Sequence, residues 1–297
     1  MAGENNNQAV RVYSKQFMQL LQAVYAKRAY FGDIFGTIQA LDGVSNNKTA
    51  MSIKTSDIPV AVQEYSTDSN TAFGTGTGNS TRFGQRTEVI YTDTDVPFSW
   101  NWAIHEGIDR STVNADFQSA VADRLDLQAQ AKVQLFDDKA SAYLSSIAGV
   151  TKELADYSPE AVLALFNDLS STYVNLQTVG VKVAKVRPEL YNAIIDHPIT
   201  TTAKSSSANI DENGIVTFKG FKVEEVPDDK FAENELAIVA IQNIGRQFTG
   251  IDTVRTMESE DFNGVALQGA GQAGEFIIPA NRKAVLKVVQ GTGVPAV

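Results

Sequence analysis

The chain has 297 residues, a formal net charge of −10 at pH 7 and 43% hydrophobic residues. This is the composition of a soluble folded protein with one large domain or two smaller ones. It contains no cysteine, which excludes disulfides, thiolate nucleophiles and cysteine-ligated metal sites. The acidic balance argues against a protein that coats nucleic acid over its whole surface. The longest apolar run, residues 236–241, is far shorter than the roughly 20 residues that a membrane-spanning helix needs, so we expect no membrane contact.

The first predicted element is an amphipathic helix over residues 9–31. Its other face is basic, because no acidic residue lies between Asn5 and Gly32. Such a helix suits an acidic partner or a membrane surface. A helix packed on its own domain with a solvated basic face explains the same pattern, and we prefer that interpretation. The apolar residues at helical spacing are Tyr13, Phe17, Leu20, Leu21 and Val24, and the basic ones are Arg11, Lys15, Lys27 and Arg28.

Residues 66–84 form a polar segment rich in Ser, Thr, Asn and Gly, with Ala72, Phe73 and Phe83 as its only apolar residues. Such a composition cannot bury enough surface to form a core of its own. Segments with strand-like alternation flank it, residues 58–65 before and residues 87–102 after. We predict a long two-stranded excursion with a flexible tip. Because an isolated hairpin is only marginally stable in water, the excursion is either disordered or ordered by something outside its own chain.

A long helix over residues 113–148 is the clearest prediction. We expect Ser111 or Asn114 to cap its start and Gly149 to supply a left-handed stop. At about 1.5 Å per residue it would run roughly 50 Å, so we interpret it as a backbone to which other elements attach. Its apolar stripe consists of Phe117, Val121, Leu125, Ala129, Val133, Phe136, Ala140, Leu144 and Ile147.

The rest of the chain alternates between helix and strand, which predicts a mixed α+β protein. Ser158, Pro159 and Glu160 form a strong helix start, with a cap, a proline at the first position and an acid in the first turn. The unbroken apolar run at 236–241 predicts a strand that is buried on both faces. The other predicted elements are a strand at 181–186, a helix at 188–195, a hairpin around 211–214, and strands at 221–226, 245–254 and 274–289.

No residue pattern supports catalysis, a cofactor or a metal site. His105 and His197 are not at metal-ligand spacing, and each is better explained by a structural role. Residues 269–274 match the G-x-G-x-x-G spacing, but a predicted strand follows them, and too few residues remain for a βαβ unit. Close acidic pairs such as residues 137–138 are typical of solvated surface positions in an acidic protein. We therefore expect a protein that is not an enzyme.

The order of these parts resembles the major capsid proteins of tailed bacteriophages. These proteins share the Hong Kong 97 type capsid fold with encapsulin shells. As architecture the resemblance covers nearly the whole chain: an N-terminal arm, a long polar β-excursion, a very long helix, and a mixed domain that closes with strands. Similarity of sequence is concentrated at residues 181–195, 220–231, 236–241 and 274–289.

This resemblance implies a division of the chain and a set of contact residues. The extended loop would lie across a neighbouring subunit, with Phe73, Arg82, Phe83 and Arg86 at inter-subunit contacts. In the arm, Arg11, Lys15, Lys27 and Arg28 would approach DNA phosphates or an acidic scaffold. The implied parts are an N-terminal arm at 1–52, an extended loop with its strands at 53–100, a peripheral domain with a spine helix at 101–150, an axial domain at 151–245, and a return to the peripheral domain at 246–297.

The implied function is assembly into pentamers and hexamers of an icosahedral shell that encloses the double-stranded DNA of a tailed phage. Assembly would take place in the host bacterial cytoplasm, with a portal protein. A separate scaffolding protein is implied as well, because no long additional region precedes the arm. Some family members join the loop to a neighbour through a Lys–Asn bond, but no lysine lies between Lys54 and Lys132, so we expect no such link. The alternatives are an encapsulin-type compartment, and a carbohydrate-binding or hydrolytic protein that uses Trp100, Trp102 and nearby acids.

Overall fold

The computed structural model describes residues 28–41, 49–56, 58–69, 81–113, 117–197, 209–210 and 216–291. Of the helix predicted over residues 9–31, only residues 28–31 are described, and these are not helical. The chain divides into two compact units. We call residues 46–97 the loop unit and the remainder the main unit.

The helices and strands are numbered in chain order. The described α-helices are α1 (Gly32–Phe35), α2 (Phe117–Ile147), α3 (Pro159–Asn175) and α4 (Pro188–Ile195). The described strands are β1 (Gln39–Ala40), β2 (Thr49–Thr55), β3 (Thr92–Pro97), β4 (Trp100–Asp109), β5 (Val150–Leu154), β6 (Lys182–Val186), β7 (Asn209–Ile210), β8 (Val216–Phe218), β9 (Phe221–Glu225), β10 (Glu235–Ile241), β11 (Arg246–Glu258), β12 (Gly264–Phe276) and β13 (Leu286–Gln290). Two short 3₁₀ helices span Asp228–Lys230 and Pro279–Ala284.

A seven-stranded sheet forms the larger core of the main unit, in the order β5-β13-β10-β6-β9-β8-β7. Strand β10 runs antiparallel to both of its neighbours, and it is buried along nearly its whole length. The strand predicted from the apolar run is therefore confirmed. Strands β7 and β8 pair as a hairpin, as predicted, and the turn between them lies outside the described residues. The core between this sheet and helix α3 includes Phe166 and Tyr173 of the helix and Phe221, Val239 and Leu286 of the sheet.

Helices α3 and α4 follow their predicted starts. The hydroxyl of Ser158 accepts a hydrogen bond from the amide of Ala161 at 3.3 Å, and Pro159 occupies the first helical position. Helix α4 likewise begins with Pro188 and ends at the predicted residue, Ile195. Proline fits the first turn because its missing N–H would have no partner there.

The spine helix α2 has 31 residues, about 46 Å at the standard rise, so the long helix is confirmed. Two of the three residues predicted at the ends of the helix, Ser111 and Gly149, do not play the predicted part. The hydroxyl of Ser111 donates to Asp109 instead of capping the helix, and the other proposed cap, Asn114, lies outside the described residues. Gly149 does not have a left-handed backbone. It is needed for close approach, because a Cβ atom there would lie 2.6 Å from the carbonyl oxygen of Arg282.

A four-stranded sheet, in the order β1-β11-β12-β4, packs against the spine helix. Its strand β12 contains the glycines of the G-x-G-x-x-G match, whereas the predicted strand began only at residue 274. A Cβ atom on Gly271 would lie 2.5 Å from Nε1 of Trp102, and one on Gly269 would lie 3.1 Å from the same ring. These glycines therefore let the indole lie against the strand, a use of glycine unrelated to phosphate binding.

Residues 28–36 are fixed to the rest of the main unit. The amides of Tyr30 and Phe31 donate to one carboxylate oxygen of Asp137 on the spine helix, at 2.8 and 2.9 Å. Three side chains of this segment are fully buried, those of Phe31, Ile34 and Phe35.

An ion-pair cluster attaches the same segment to the seven-stranded sheet. The ammonium group of Lys185, which is fully buried, lies 2.9 Å from Asp33 and 2.6 Å from Glu224. Arg28 adds a second cation, 2.7 Å from Glu224. Because a buried charge is costly without partners, this cluster fixes the position of the segment.

The loop unit contains one two-stranded antiparallel ladder, β2 with β3. The strand predicted at residues 58–65 was wrong, since that segment is irregular. The segment predicted as strand at 87–102 contains β3 and the start of β4, but its residues 87–91 are not in a strand. Residues 58–65 are irregular because apolar alternation makes a strand only where a second segment offers ladder hydrogen bonds. No described residue does so for this segment.

Across the described part of the chain, none of the helices combines the length and the apolar composition that crossing a bilayer requires.

Candidate functional site

The two histidines have hydrogen-bonded positions in the main unit. A ring nitrogen of His105 lies 3.2 Å from the side-chain amide of Gln268 on the neighbouring strand. His197 is buried, with Nε2 3.1 Å from the carbonyl oxygen of Pro159. Among the described residues, no group of three or more His, Cys, Asp or Glu side chains could hold a metal ion.

The two tryptophans pack between the four-stranded sheet and the spine helix. The Trp100 indole donates to Glu275 at 3.0 Å, and its ring meets Phe136 edge-on at 4.8 Å between centroids. Trp102 is buried, and the ammonium group of Lys132 lies 4.5 Å from the centre of its ring. A carbohydrate-binding platform needs an exposed ring face, so these contacts give the tryptophans a packing role.

Three buried carboxylates have perturbed acidities in the main unit. Burial raises the pKa values of Asp137, Glu235 and Glu275 above those of exposed carboxyls. Raised pKa values can mark catalytic acids. Each of these groups, however, already accepts hydrogen bonds from the protein: Asp137 from two backbone amides, Glu235 from the amide of Ala232, and Glu275 from Trp100 and Gln247. They act as structural acids that tie segments together.

The loop unit contains the candidate site. Its two legs are the outgoing segment, residues 58–69, and the returning segment, residues 81–91, and hydrogen bonds join them. The side-chain amide of Gln63 donates to the carbonyl oxygen of Gln85 at 2.7 Å and accepts from its backbone amide at 3.0 Å. Gly84 has φ of 80°, and a Cβ atom there would lie 1.9 Å from the oxygen of Gln63, so glycine is required for this contact. Nearby, the amide of Ser66 donates to the carbonyl oxygen of Arg82 at 3.0 Å. These bonds join the two legs of the loop unit.

Apolar side chains are widely exposed on both legs of the loop unit. Val60 is 91% exposed and Val62 is 93% exposed. The returning leg adds a run of exposed apolar residues at 89–91. Clustered exposure of this kind marks an interaction surface, whereas single exposed apolar residues do not. The alternation at 58–65 predicted a strand of a two-stranded excursion and gave no indication of this surface.

Three of the four residues predicted to make loop contacts lie among the described residues, all on the returning leg. Phe83 is 76% exposed, and its ring meets Tyr65 edge-on at 5.3 Å. Arg82 is half-buried and Arg86 is exposed on the same leg. Phe73 lies outside the described residues. The candidate site therefore consists of exposed apolar groups on both legs, with two arginines in the sequence of the returning leg.

Of the four basic residues predicted to make contacts from the arm, the structure describes only Arg28. Arg11, Lys15 and Lys27 lie outside the described residues. Arg28 lies in the main unit, where it pairs with Glu224 and its guanidinium carbon stands 5.8 Å from the centre of the Tyr30 ring. Arg28 therefore has intrachain partners, and its predicted contact with DNA or a scaffold stays a prediction.

Solved structures resemble this chain over nearly its full length, although no protein-family model and no curated protein sequence matches it. The capsid of Cyanophage P-SCSP1u is 11% identical, with 91% of this chain and 90% of that chain covered and a TM-score of 0.66. The mature capsid of bacteriophage PhiM1 is 10% identical, with coverage of 92% and 90% and a TM-score of 0.64. The capsid of Ralstonia phage GP4 is 13% identical, with coverage of 92% and 94% and a TM-score of 0.57. At these identities the likeness establishes architecture, and the chain has the Hong Kong 97 type fold of tailed-phage major capsid proteins.

Proposed function

We propose that this chain is a major capsid protein that assembles with copies of itself into the icosahedral shell around the double-stranded DNA of a tailed phage. The observation that carries the proposal is the whole-chain likeness to three phage capsid subunits. A fold alone does not fix a function. The exposed apolar surface of the loop unit adds an independent reason, because it has the character of a contact surface.

In this function the loop unit lies across a neighbouring subunit. Contact would remove Val60, Val62 and Phe83 from water, and apolar burial contributes about 25 cal/mol per Å². Arg82 and Arg86 would supply positive charge at the contact. That matters because the subunits carry a formal charge of −10 each and repel one another at long range. With no lysine between Lys54 and Lys132, packing and hydrogen bonds hold the neighbours together.

The remaining parts of the proposal follow from the same architecture. Residues 151–245 form the axial domain at the centres of pentamers and hexamers, and the spine helix belongs to the peripheral domain. The partners are further copies of the chain, a separate scaffolding protein, a portal protein and the packaged DNA, which the arm contacts weakly and without sequence preference. The subunit acts in the virion after assembly in the bacterial cytoplasm, as a structural component and not as an enzyme.

Electron microscopy of the purified chain, alone and with its scaffolding protein, tests this function. We expect shells, rings or tubes. Replacing both loop valines with serine (V60S/V62S) should reduce particle yield about tenfold or more, since 1.4 kcal/mol corresponds to a factor of ten in an association constant. The folded subunit should keep its thermal stability, because neither side chain is buried within it.

The matched control is V60I/V62I, which keeps the surface apolar and should assemble normally. A chain that stays monomeric under every condition would contradict the proposal. Particles recovered from cells with a protein cargo instead of DNA would favour an encapsulin-type compartment.

A further inference from the structure

Strand β4 is an edge of the four-stranded sheet with one side unpaired. All ten of its residues pair with β12, and no other strand among the described residues lies on its second side. Natural sheets protect such edges with lysine, proline or a bulge. Residues 100–109 contain neither lysine nor proline, and their ladder with β12 has no register shift. This edge is therefore open to a further strand.

A recess of about 330 Å³ borders β4 on the side of the spine helix. The strand contributes Ile104 and Glu106 to its lining, and the helix contributes residues that include Leu127 and Ala131. Ile104 and Leu127 are only partly buried, and Ala131 is exposed. Side chains on one face of a sheet lie next to each other from strand to strand. A strand added to β4 would therefore place apolar side chains over this recess.

Residues 58–65, on the outgoing leg of the loop unit, are a strand-like segment without a partner strand. They contain no helix or turn, and the described part of the chain offers them no strand to pair with. Fully extended, the segment spans about 26 Å, and β4 spans about 33 Å. The segment therefore fits within the length of the unpaired edge.

The two faces of this segment have different surroundings. Gln63 and Tyr65 contact the returning leg, Gln63 by two hydrogen bonds and Tyr65 by an edge-on ring contact. In an extended strand, Val60 and Val62 lie on the opposite face from these two side chains. Both valines are almost fully exposed. The face that carries them can therefore be covered by another molecule while the two legs stay joined.

The two edges of the segment also differ in their hydrogen-bond donors. In a strand, successive residues direct their backbone amide and carbonyl groups to opposite sides. Pro59 has no amide hydrogen, and it shares its edge with Ala61. Val60 and Val62 direct their amides to the other edge, where the set of donors is unbroken. That edge is the one suited to a new ladder.

We propose that residues 58–65 of one copy add as a strand to the unpaired edge of β4 in a second copy, with the side chains of Val60 and Val62 over the recess. In this mode of binding, backbone hydrogen bonds give affinity, and pockets for alternate side chains give specificity. The occupant is a second copy because the described part of the same chain provides no partner strand for the segment. The inference rests on the proposed function, and it names the surface that receives the loop unit.

Cysteine cross-linking in purified particles tests the position of the contact, because the chain contains no cysteine of its own. Val62→Cys is combined in turn with one of three substitutions on the main unit, and the set is repeated with Val60→Cys. Ile104→Cys lies at the recess, and Ala103→Cys lies on the opposite face of the same strand. Val254→Cys lies on β11, the strand whose outer side is partly covered by β1. The particles are oxidised with copper phenanthroline and separated by non-reducing electrophoresis.

We expect Ile104→Cys to give covalent dimers and larger species at about tenfold higher yield than either control, since facing Cβ atoms on neighbouring strands lie about 5 Å apart. Equal yields from the three positions would overturn the proposal. A cross-linked product of monomer size would also overturn it, because the segment would then pair within its own chain. Particles without the Ile104→Cys cross-link contradict this contact alone, whereas a parent chain that forms no particles contradicts the proposed function as well.

Proline substitution tests the backbone pairing separately, in chains that contain no cysteine. Val62→Pro removes an amide from the pairing edge, whereas Ala61→Pro removes one from the edge that already contains Pro59. We expect particle yield to fall about tenfold in Val62→Pro and to stay within about twofold in Ala61→Pro, as for the loss of one ladder hydrogen bond. Both positions are exposed, so thermal unfolding of the dispersed subunit should not change. Equal yields, or a larger loss in Ala61→Pro, would overturn the proposal.

Discussion

At the residue scale, the most informative group is the carboxylate of Glu275, which joins the four-stranded sheet to the spine helix. It accepts hydrogen bonds from Trp100 and from Gln247, whose side chain also donates to the carbonyl oxygen of Phe136 at 3.0 Å. Burial nevertheless raises its pKa above the ordinary value of 4.5. The group therefore opposes folding when it is ionised, although it organises the contact.

The substitution Glu275→Gln should make stability less dependent on pH. Between pH 4.5 and the raised pKa of Glu275, the folded state keeps a proton that the unfolded chain has released, so stability falls as pH rises. Glutamine has no such proton. The free energy of unfolding of the variant, relative to the parent, should therefore increase from pH 4.5 to about pH 7.5. Urea unfolding measures it, with the exposed Glu260→Gln as control, and a pH-independent difference would contradict the assignment.

Lys185 gives a second prediction at this scale. It is fully buried between Asp33 and Glu224, so Lys185→Met leaves two carboxylates without their shared cation. We expect a loss of about 3–5 kcal/mol, as for other broken buried pairs. The control is Lys152→Met, which removes a partly exposed pair with Asp168 and should cost less than about 1 kcal/mol. Equal losses in urea unfolding would mean that burial of Lys185 is not what matters.

At the scale of elements, short sequence patterns correctly predicted the helices and the strand that depend mainly on neighbouring residues. The spine helix follows from its apolar period, helix α3 from the cap at Ser158 and the proline after it, and β10 from an unbroken apolar run. Apart from the cap expected at Ser111, the failures concern partners distant in sequence. Residues 58–65 alternate like a strand but pair with no strand among the described residues, and the glycines of β12 are explained by the indole of Trp102 beside them.

The sequence predicted where the candidate site lies but not how it is built. Composition pointed to the polar segment around Phe83, because such a segment cannot fold alone. The joined legs at Gln63 and Gln85 could not be foreseen, since nothing in the sequence relates two glutamines that far apart. The exposure of Val60 and Val62 follows from the absence of a partner strand in the part of the chain that the structure describes, and not from their own residue type.

Gly149 supplies the prediction at this scale, because it decides how closely the end of the spine helix approaches the segment at Arg282. In Gly149→Ala the new Cβ atom would lie 2.6 Å from a backbone oxygen, which cannot move as a side chain can. We expect a loss of about 1–3 kcal/mol, typical of overpacking. Gly32→Ala is the control, since no atom lies within 4 Å of a Cβ atom there, and it should stay within about 0.5 kcal/mol. Differential scanning calorimetry distinguishes the two, and an unaffected Gly149→Ala would show that the helix end can shift.

At the scale of the whole molecule, the main unit and the loop unit should differ in hydrogen exchange. No amide at residues 58–65 donates a backbone hydrogen bond within the described part of the chain, whereas β10 is paired on both sides. In dispersed subunits, exchange at 58–65 should be fast and exchange in β10 slow. In assembled particles, the proposed contact with a neighbour should slow exchange at 58–65 and leave β10 unchanged. Mass spectrometry of the peptides measures both, and equally fast exchange at 58–65 in particles would contradict that contact.

The position of β13 has a consequence for synthesis. In the seven-stranded sheet this strand lies between β5 and β10, although it is made from residues 286–290, long after β5 has left the ribosome. A nascent chain that has not reached these residues cannot join β5 to the rest of the sheet, and such distant pairings form slowly. Folding of the main unit is therefore completed late in translation or after it. Truncated chains lack a finished core and are exposed to proteases before they can compete with complete subunits.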